Sequence, residues 1–119
     1  MHIDKDLVAA SATPLVLGIL ADGESYGYAI NKRVNELSGG RMQWTDGMLY
    51  PLLHRLERLG HVTSSWSTSA GRRRKHYAIT EDGQRLLAER RRQWDVVADA
   101  LEQVWRTAQP PPTVAPGWS

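Results

Sequence analysis

Five leucines, Leu49, Leu52, Leu53, Leu56 and Leu59, recur at steps of one, three and four and stop at Gly60, and no other feature limits the fold so tightly. At about 100° per residue they fall on one side of a helix. Gly47, Tyr50, Pro51, His54, Arg55 and Arg58 fall on the other. Thr45 stands where the N-cap belongs, Asp46 lies near the positive end of the helix dipole, and Gly60 supplies the stop. Pro51 removes one ladder hydrogen bond, but on the outer side, where the freed carbonyl meets water. Beyond the stop, His61–Thr68 and Lys75–Ile79 have strand composition, with Val62, Trp66, Tyr77 and Ile79 expected to point inward. The six residues Ser69–Arg74 predict an open hairpin loop rather than a two-residue turn. Four consecutive cations, Arg72, Arg73, Arg74 and Lys75, stand at its tip. A helix followed directly by a hairpin with a basic tip is the order of parts of a winged helix.

The residues before this stretch read as its scaffold. Lys5–Ala21 predict a first helix with Leu7, Ala10, Leu15, Ile19 and Leu20 among its apolar positions and Pro14 as a kink or segment boundary. Asp22-Gly23 interrupts it. Ser25 is the expected N-cap of a second helix, Tyr26–Leu37, with Tyr28, Ile30, Val34 and Leu37 at helical spacing, ended by Ser38-Gly39-Gly40. Thr80 is the expected N-cap of a last helix, and Glu81 and Asp82 complement its dipole. That helix runs to about Thr107, longer than a domain of this size needs for its own core. Along it Leu87, Arg90, Trp94, Val97, Leu101 and Val104 alternate at steps of three and four, a seam that wants a partner helix.

The expected fold is mainly α with a small β-hairpin. A winged helix-turn-helix over residues 1–79 precedes a dimerisation helix over 80–107 and a Pro-rich tail over 108–119, expected to be disordered. The positive charge is local. Residues 61–92 hold eight Lys/Arg against three Asp/Glu, whereas residues 1–60 hold six against seven and residues 93–119 one against three. Such a confined field suits an edge that binds a polyanion better than a device for general solubility. With no cysteine, thiol catalysis, disulfides and cysteine-ligated zinc are excluded. No run reaches the ~18 apolar residues of a membrane span, and acids near the N-terminus do not suit a secretory signal. These features imply a cytoplasmic protein with no membrane partner. The four histidines, His2, His54, His61 and His76, are scattered. They form no metal-ligand spacing, and there is no nucleophile–base pair or phosphate-cradling glycine loop, so neither an enzyme nor a cofactor is expected.

A helix fits the major groove of B-DNA, and a hairpin arginine reaches an adjacent minor groove or its phosphates. Tyr50 and the N-terminus of the third helix, at Thr45 and Gly47, suit phosphate contacts, while His54 and Arg55 suit phosphates or base edges. The run LYPLLHRLERLGHV, the following Trp66, GRRRKHYAIT and the Asp82-Gly83 of the next helix together resemble the PadR family of winged-helix transcriptional regulators, and Gly27–Ile30 resembles that family's second helix. The resemblance covers roughly residues 7–105, with the single C-terminal helix of the shorter subfamily. It implies a homodimer on an inverted-repeat operator in double-stranded DNA, usually repressing and released by a small molecule or a stress signal. It places Tyr50, Pro51 and Arg55 on DNA with Tyr28 nearby, and it matches Arg73, Arg74 and Lys75 to the family's basic wing.

The resemblance also bears on the last helix. Trp94 aligns, through RRQWDVV, with a tryptophan that in small multidrug-sensing members faces its symmetry mate and stacks planar aromatic ligands. Leu7, Ala10, Val97 and Ala98 would line the same space. Two facing indoles offer stacking and cation–π surface. The plainer alternative makes Trp94 dimer core together with Leu87, Val97, Leu101 and Val104. A different class of function also fits the parts: a winged helix used for protein–protein contact, with incidental DNA affinity.

Overall fold

The computed structural model describes residues 1–108. The tail expected to be disordered lies, from residue 109 on, outside the described residues. Seven elements follow in order: α1 (Lys5–Ala21), β1 (Ser25–Tyr26), α2 (Gly27–Leu37), α3 (Asp46–Arg58), β2 (Val62–Ser69), β3 (Arg72–Ile79) and α4 (Glu81–Ala108). The chain divides into two compact units, residues 1–88 and the residues from Glu89 on, which fall within α4 and beyond.

The first unit closes around one apolar cluster. α1 contributes Ala12, Val16, Leu17 and Leu20, α2 contributes Ile30 and Val34, and α3 contributes Leu49, Leu52, Leu53 and Leu56. Trp44, Val62 and Tyr77 complete it. Each fully buried leucine stabilises the fold by about 1.5–3 kcal/mol in transfer free energy. The leucine stripe of α3 is thus the core face that the spacing predicts, with one exception. Leu59 is the C-cap residue and is 57% exposed, because the helix ends before the stripe does. Leu37, the last residue of α2, is also exposed, as is Tyr28 one residue inside its start. Pro14 and Pro51 sit inside α1 and α3, and each helix is a single element.

Other sequence expectations change as well. Ser25 does not cap α2. With Tyr26 it forms a short edge strand, Ser25 opposite Tyr77 and Tyr26 opposite His76. The sheet therefore has three antiparallel strands in the order β1-β3-β2. Tyr26 takes the N-cap position of α2 with no side-chain cap bond.

The predicted six-residue loop is a two-residue turn. β2 and β3 pair from Val62↔Ile79 out to Ser69↔Arg72, and Ala70 and Gly71 (φ 53° and 77°) make the bend. Positive φ at both positions is the condition of the hairpin turn whose twist matches its strands. The strands extend through serines and arginines because the ladder is a backbone structure, indifferent to side-chain polarity.

Trp66, expected to face inward, is 57% exposed. Its parity matches that of Val62, which is buried on the same strand. β2 simply projects past the helices that cover Val62, so the face that is core at one end of the hairpin is surface at the other.

Thr80 joins the wing to the last helix. Its hydroxyl accepts the Gly83 amide at 3.0 Å, as expected of an N-cap, and donates to the Gly60 carbonyl at 2.7 Å. Thr45 occupies the N-cap position of α3 but makes no side-chain cap bond. In the second unit, Trp94 is half-buried, whereas Val96, Val97, Leu101, Val104 and Trp105 are exposed. Leu87, expected in the pairing seam, is partly buried and packs against the winged-helix core of its own chain.

Candidate nucleic-acid interface

The outer side of α3 and the tip of the wing have one groove between them. Its cavity of about 500 Å³ is lined by Tyr26, Gly27, Tyr28, Tyr50, His54, Trp66, Tyr77 and the four wing cations. Local sequence explains how these side chains come together. α2 begins at Gly27, which is buried where it meets α3. A Cβ there would lie 2.1 Å from the Tyr50 hydroxyl, so glycine leaves room for the end of the Tyr50 ring against α2. Asn31 of α2 donates to the Asp46 carboxylate in the first turn of α3 at 3.2 Å, a second tie between the helices. The Tyr50 and His54 rings, one turn apart, lie 6.3 Å from each other, His54 exposed and Tyr50 partly buried against the core.

Strand alternation divides the wing cations. Arg73 and Lys75 share a face with Trp66 and Tyr77, and Arg72 and Arg74 share the other with His76. The Arg73 guanidinium stands over the Trp66 ring at 4.6 Å, and that of Arg74 over the Tyr26 ring at 4.4 Å. Lys75 Nζ lies 5.8 Å from the Tyr77 ring. Tyr26 in turn lies against His76, with ring centroids 5.4 Å apart, and His76 Nδ1 is 3.5 Å from a Glu24 carboxylate oxygen. None of the wing cations forms an ion pair among the described residues, whereas Arg33, Arg85 and Arg92 all pair with acids on their own helices. Unpaired cations around aromatic faces attract polyanions.

Of the residues singled out from sequence, Tyr28, Tyr50, His54 and Arg72 to Lys75 line this groove together. Thr45, Gly47, Pro51 and Arg55 are exposed at the start and on the outer side of α3, outside its lining. Leu7 and Ala10 are exposed on α1. Sequence reasoning missed Tyr26, Gly27, Trp66 and Tyr77 as groove residues. For Trp66 the signal was available, since an indole with core parity beyond the reach of the helix stripe has to be solvent-facing. For Tyr26 there was none, because a two-residue strand has no period.

A helix–helix–hairpin arrangement with a cationic, aromatic groove beside its last helix defines the class: a winged helix-turn-helix. Within that class the chain belongs to the PadR-like family of transcriptional regulators, whose model matches residues 16–89. Members of this family are regulators rather than enzymes. The chain is 36% identical over 83 residues to the transcriptional regulator Rv3488 of Mycobacterium tuberculosis, a match that covers 70% of this chain and 75% of that protein. It is 27% identical over 88 residues to the transcriptional regulator YqjI of Escherichia coli, and that match spans only 41% of the longer protein. The solved structure of a PadR family regulator from Eggerthella lenta superposes with a TM-score of 0.75 at 32% identity, covering 86% of this chain and 88% of that one. No helix among the described residues is long and apolar enough to cross a membrane.

Proposed function

We propose that the chain is a DNA-binding transcriptional regulator that acts in the cytoplasm as a homodimer. It represses from an inverted-repeat operator and is released by a small planar aromatic ligand. The observation that carries the DNA-binding part is the groove, where unpaired wing cations stand beside the exposed side of α3. In this reading α3 enters the major groove, with Thr45, Gly47, Tyr50, Pro51, His54 and Arg55 on its DNA side. Arg72, Arg73, Arg74 and Lys75 contact the flanking backbone or minor groove, and Tyr28 anchors a phosphate from α2. Support for the dimer comes from the exposed Val97, Leu101 and Val104, which continue the seam. Support for a ligand comes from the half-buried Trp94 on the same seam, with Val97 and Ala98 beside it.

Salt dependence tests the wing. Each phosphate neutralised by a cation adds about 0.9 to the steepness with which log affinity falls against log salt. Replacing Arg72, Arg73 and Arg74 together with Ala is expected to weaken binding to a duplex selected by the protein from a random pool. The salt slope should become shallower by roughly 0.9 for each phosphate that is no longer neutralised. An unchanged slope removes the wing from the interface. A protein–protein module with incidental DNA affinity predicts weak binding that does not discriminate between sequences, so a sharp footprint on the selected duplex rejects it.

A further inference from the structure

Two of the wing arginines do not stand free. We propose that Trp66 and Tyr26 are positioning residues for DNA binding, each holding one arginine of the wing over an aromatic face so that Arg73 and Arg74 are aimed before DNA arrives. The inference rests on the DNA-binding reading and adds to it the two rings that hold these arginines.

The register makes the arrangement specific. Trp66 pairs with Lys75 and Thr68 with Arg73, so Trp66 is the diagonal neighbour of Arg73 on one face of the hairpin. Tyr26 pairs with His76 on the opposite edge of β3, which makes it the diagonal neighbour of Arg74 on the other face. The guanidinium-to-ring distances, 4.6 Å and 4.4 Å, are within the range where a ring quadrupole attracts a cation. Consecutive arginines are thereby held on opposite faces of one hairpin. Trp66 has no evident role in the core, since more than half of its surface is open to solvent. A free arginine samples many rotamers and has to give them up on contact with a phosphate, whereas one already stacked has given up part of them. A stack also keeps the five N–H donors at the rim of the guanidinium directed outward, because the ring occupies only its face.

An exposed cation–π contact shifts an equilibrium by roughly two- to fivefold. The full-length protein binding a duplex selected from a random pool is therefore compared with Trp66→Ala, Arg73→Ala and the double variant over a salt series. Trp66→Ala is expected to weaken binding by about two- to fivefold. Because its partner is then already gone, the double variant should bind no more weakly than Arg73→Ala alone. Trp66→Phe, which restores a ring and guards against loss of fold, should recover most of the affinity. Independent, multiplicative losses from the two single substitutions overturn the inference, as does a Phe variant no better than Ala. Affinity that does not fall with salt in the wild type overturns the DNA-binding reading and this inference with it. Multiplicative losses in a protein of normal salt dependence overturn this inference alone.

Discussion

Tyr77 sits at the point where the core ends and the groove begins. Its ring is 1% exposed, and its hydroxyl has no hydrogen-bond partner among the described residues. The nearby Glu57 carboxylate accepts instead from the Ser64 hydroxyl at 2.6 Å. Burial pushes the Tyr77 phenol above its ordinary value, and the charge of Glu57 and then Tyr50 push the same way. A pKa raised by folding means that the folded state favours the neutral phenol. That contribution to stability is complete below the unfolded value near 10 and is lost as pH rises through the folded one. Two results follow for Tyr77→Phe. At neutral pH it removes a buried hydroxyl whose unmet hydrogen bond costs about 1–3 kcal/mol, so the variant should be no less stable than wild type and gain up to about 1 kcal/mol. Above about pH 10 the wild type should lose stability more steeply than the variant. Urea unfolding at pH 7 and at pH values above 10 checks both, and a variant weaker than wild type at pH 7 sinks the first. At this scale the sequence is readable where parity and reach agree, as at Val62 and Tyr77. It misleads at Trp66, where parity holds but the covering helices have ended.

The elements are held together at the base of the wing, and glycine decides whether they fit. The Thr80 amide donates to the His61 carbonyl at 3.1 Å, and the Thr80 hydroxyl bridges Gly60 and Gly83. His61 Nδ1 lies 2.8 Å from an Asp82 carboxylate oxygen at the start of α4. Gly83 is buried, and a Cβ on it would stand 2.1 Å from the same His61 carbonyl oxygen. Backbone cannot swing aside as a side-chain end does, so Gly83→Ala has to push α4 away from the hairpin. The expected loss is about 1–3 kcal/mol by urea unfolding; a loss near zero would mean that this junction is slack. The sequence shows α3 and α4 through their periods and caps, and it shows β2 and β3 through their composition. It hides the close approach at Gly83, which looks like an ordinary helix-start glycine beside Asp82. It also hides the turn, because Ala70 lacks the Asn or Gly that signals positive φ, and arginines and serines imitate a loop.

For the whole molecule, the question is what the exposed apolar side of α4 does. Val97, Leu101 and Val104 stand 41–59% open, and Trp105, one step on from Val104, is equally bare. Apolar side chains grouped on one helix beyond the core that the chain builds for itself mark an association surface. In the proposed homodimer, steps of three and four set this side against the same seam on a second copy, so that two α3 helices serve one DNA site. Half-sites for such a pair fall about one helical turn, ~34 Å, apart. Placing Lys at both Leu101 and Val104 sets like charges against each other across that seam and leaves residues 1–88 untouched. The double variant is expected to sediment as a monomer and to lose the gain from tethering, which reaches 10²–10⁴-fold for two linked sites on order-of-magnitude grounds. Its affinity for a duplex carrying one half-site should stay within about twofold of wild type, because the groove between α3 and the wing is unchanged. A variant that remains dimeric means that the seam is not the interface. A monomer that binds the full site as tightly as wild type means that pairing does not set operator affinity, and a ligand acting on that seam would then have no route to DNA.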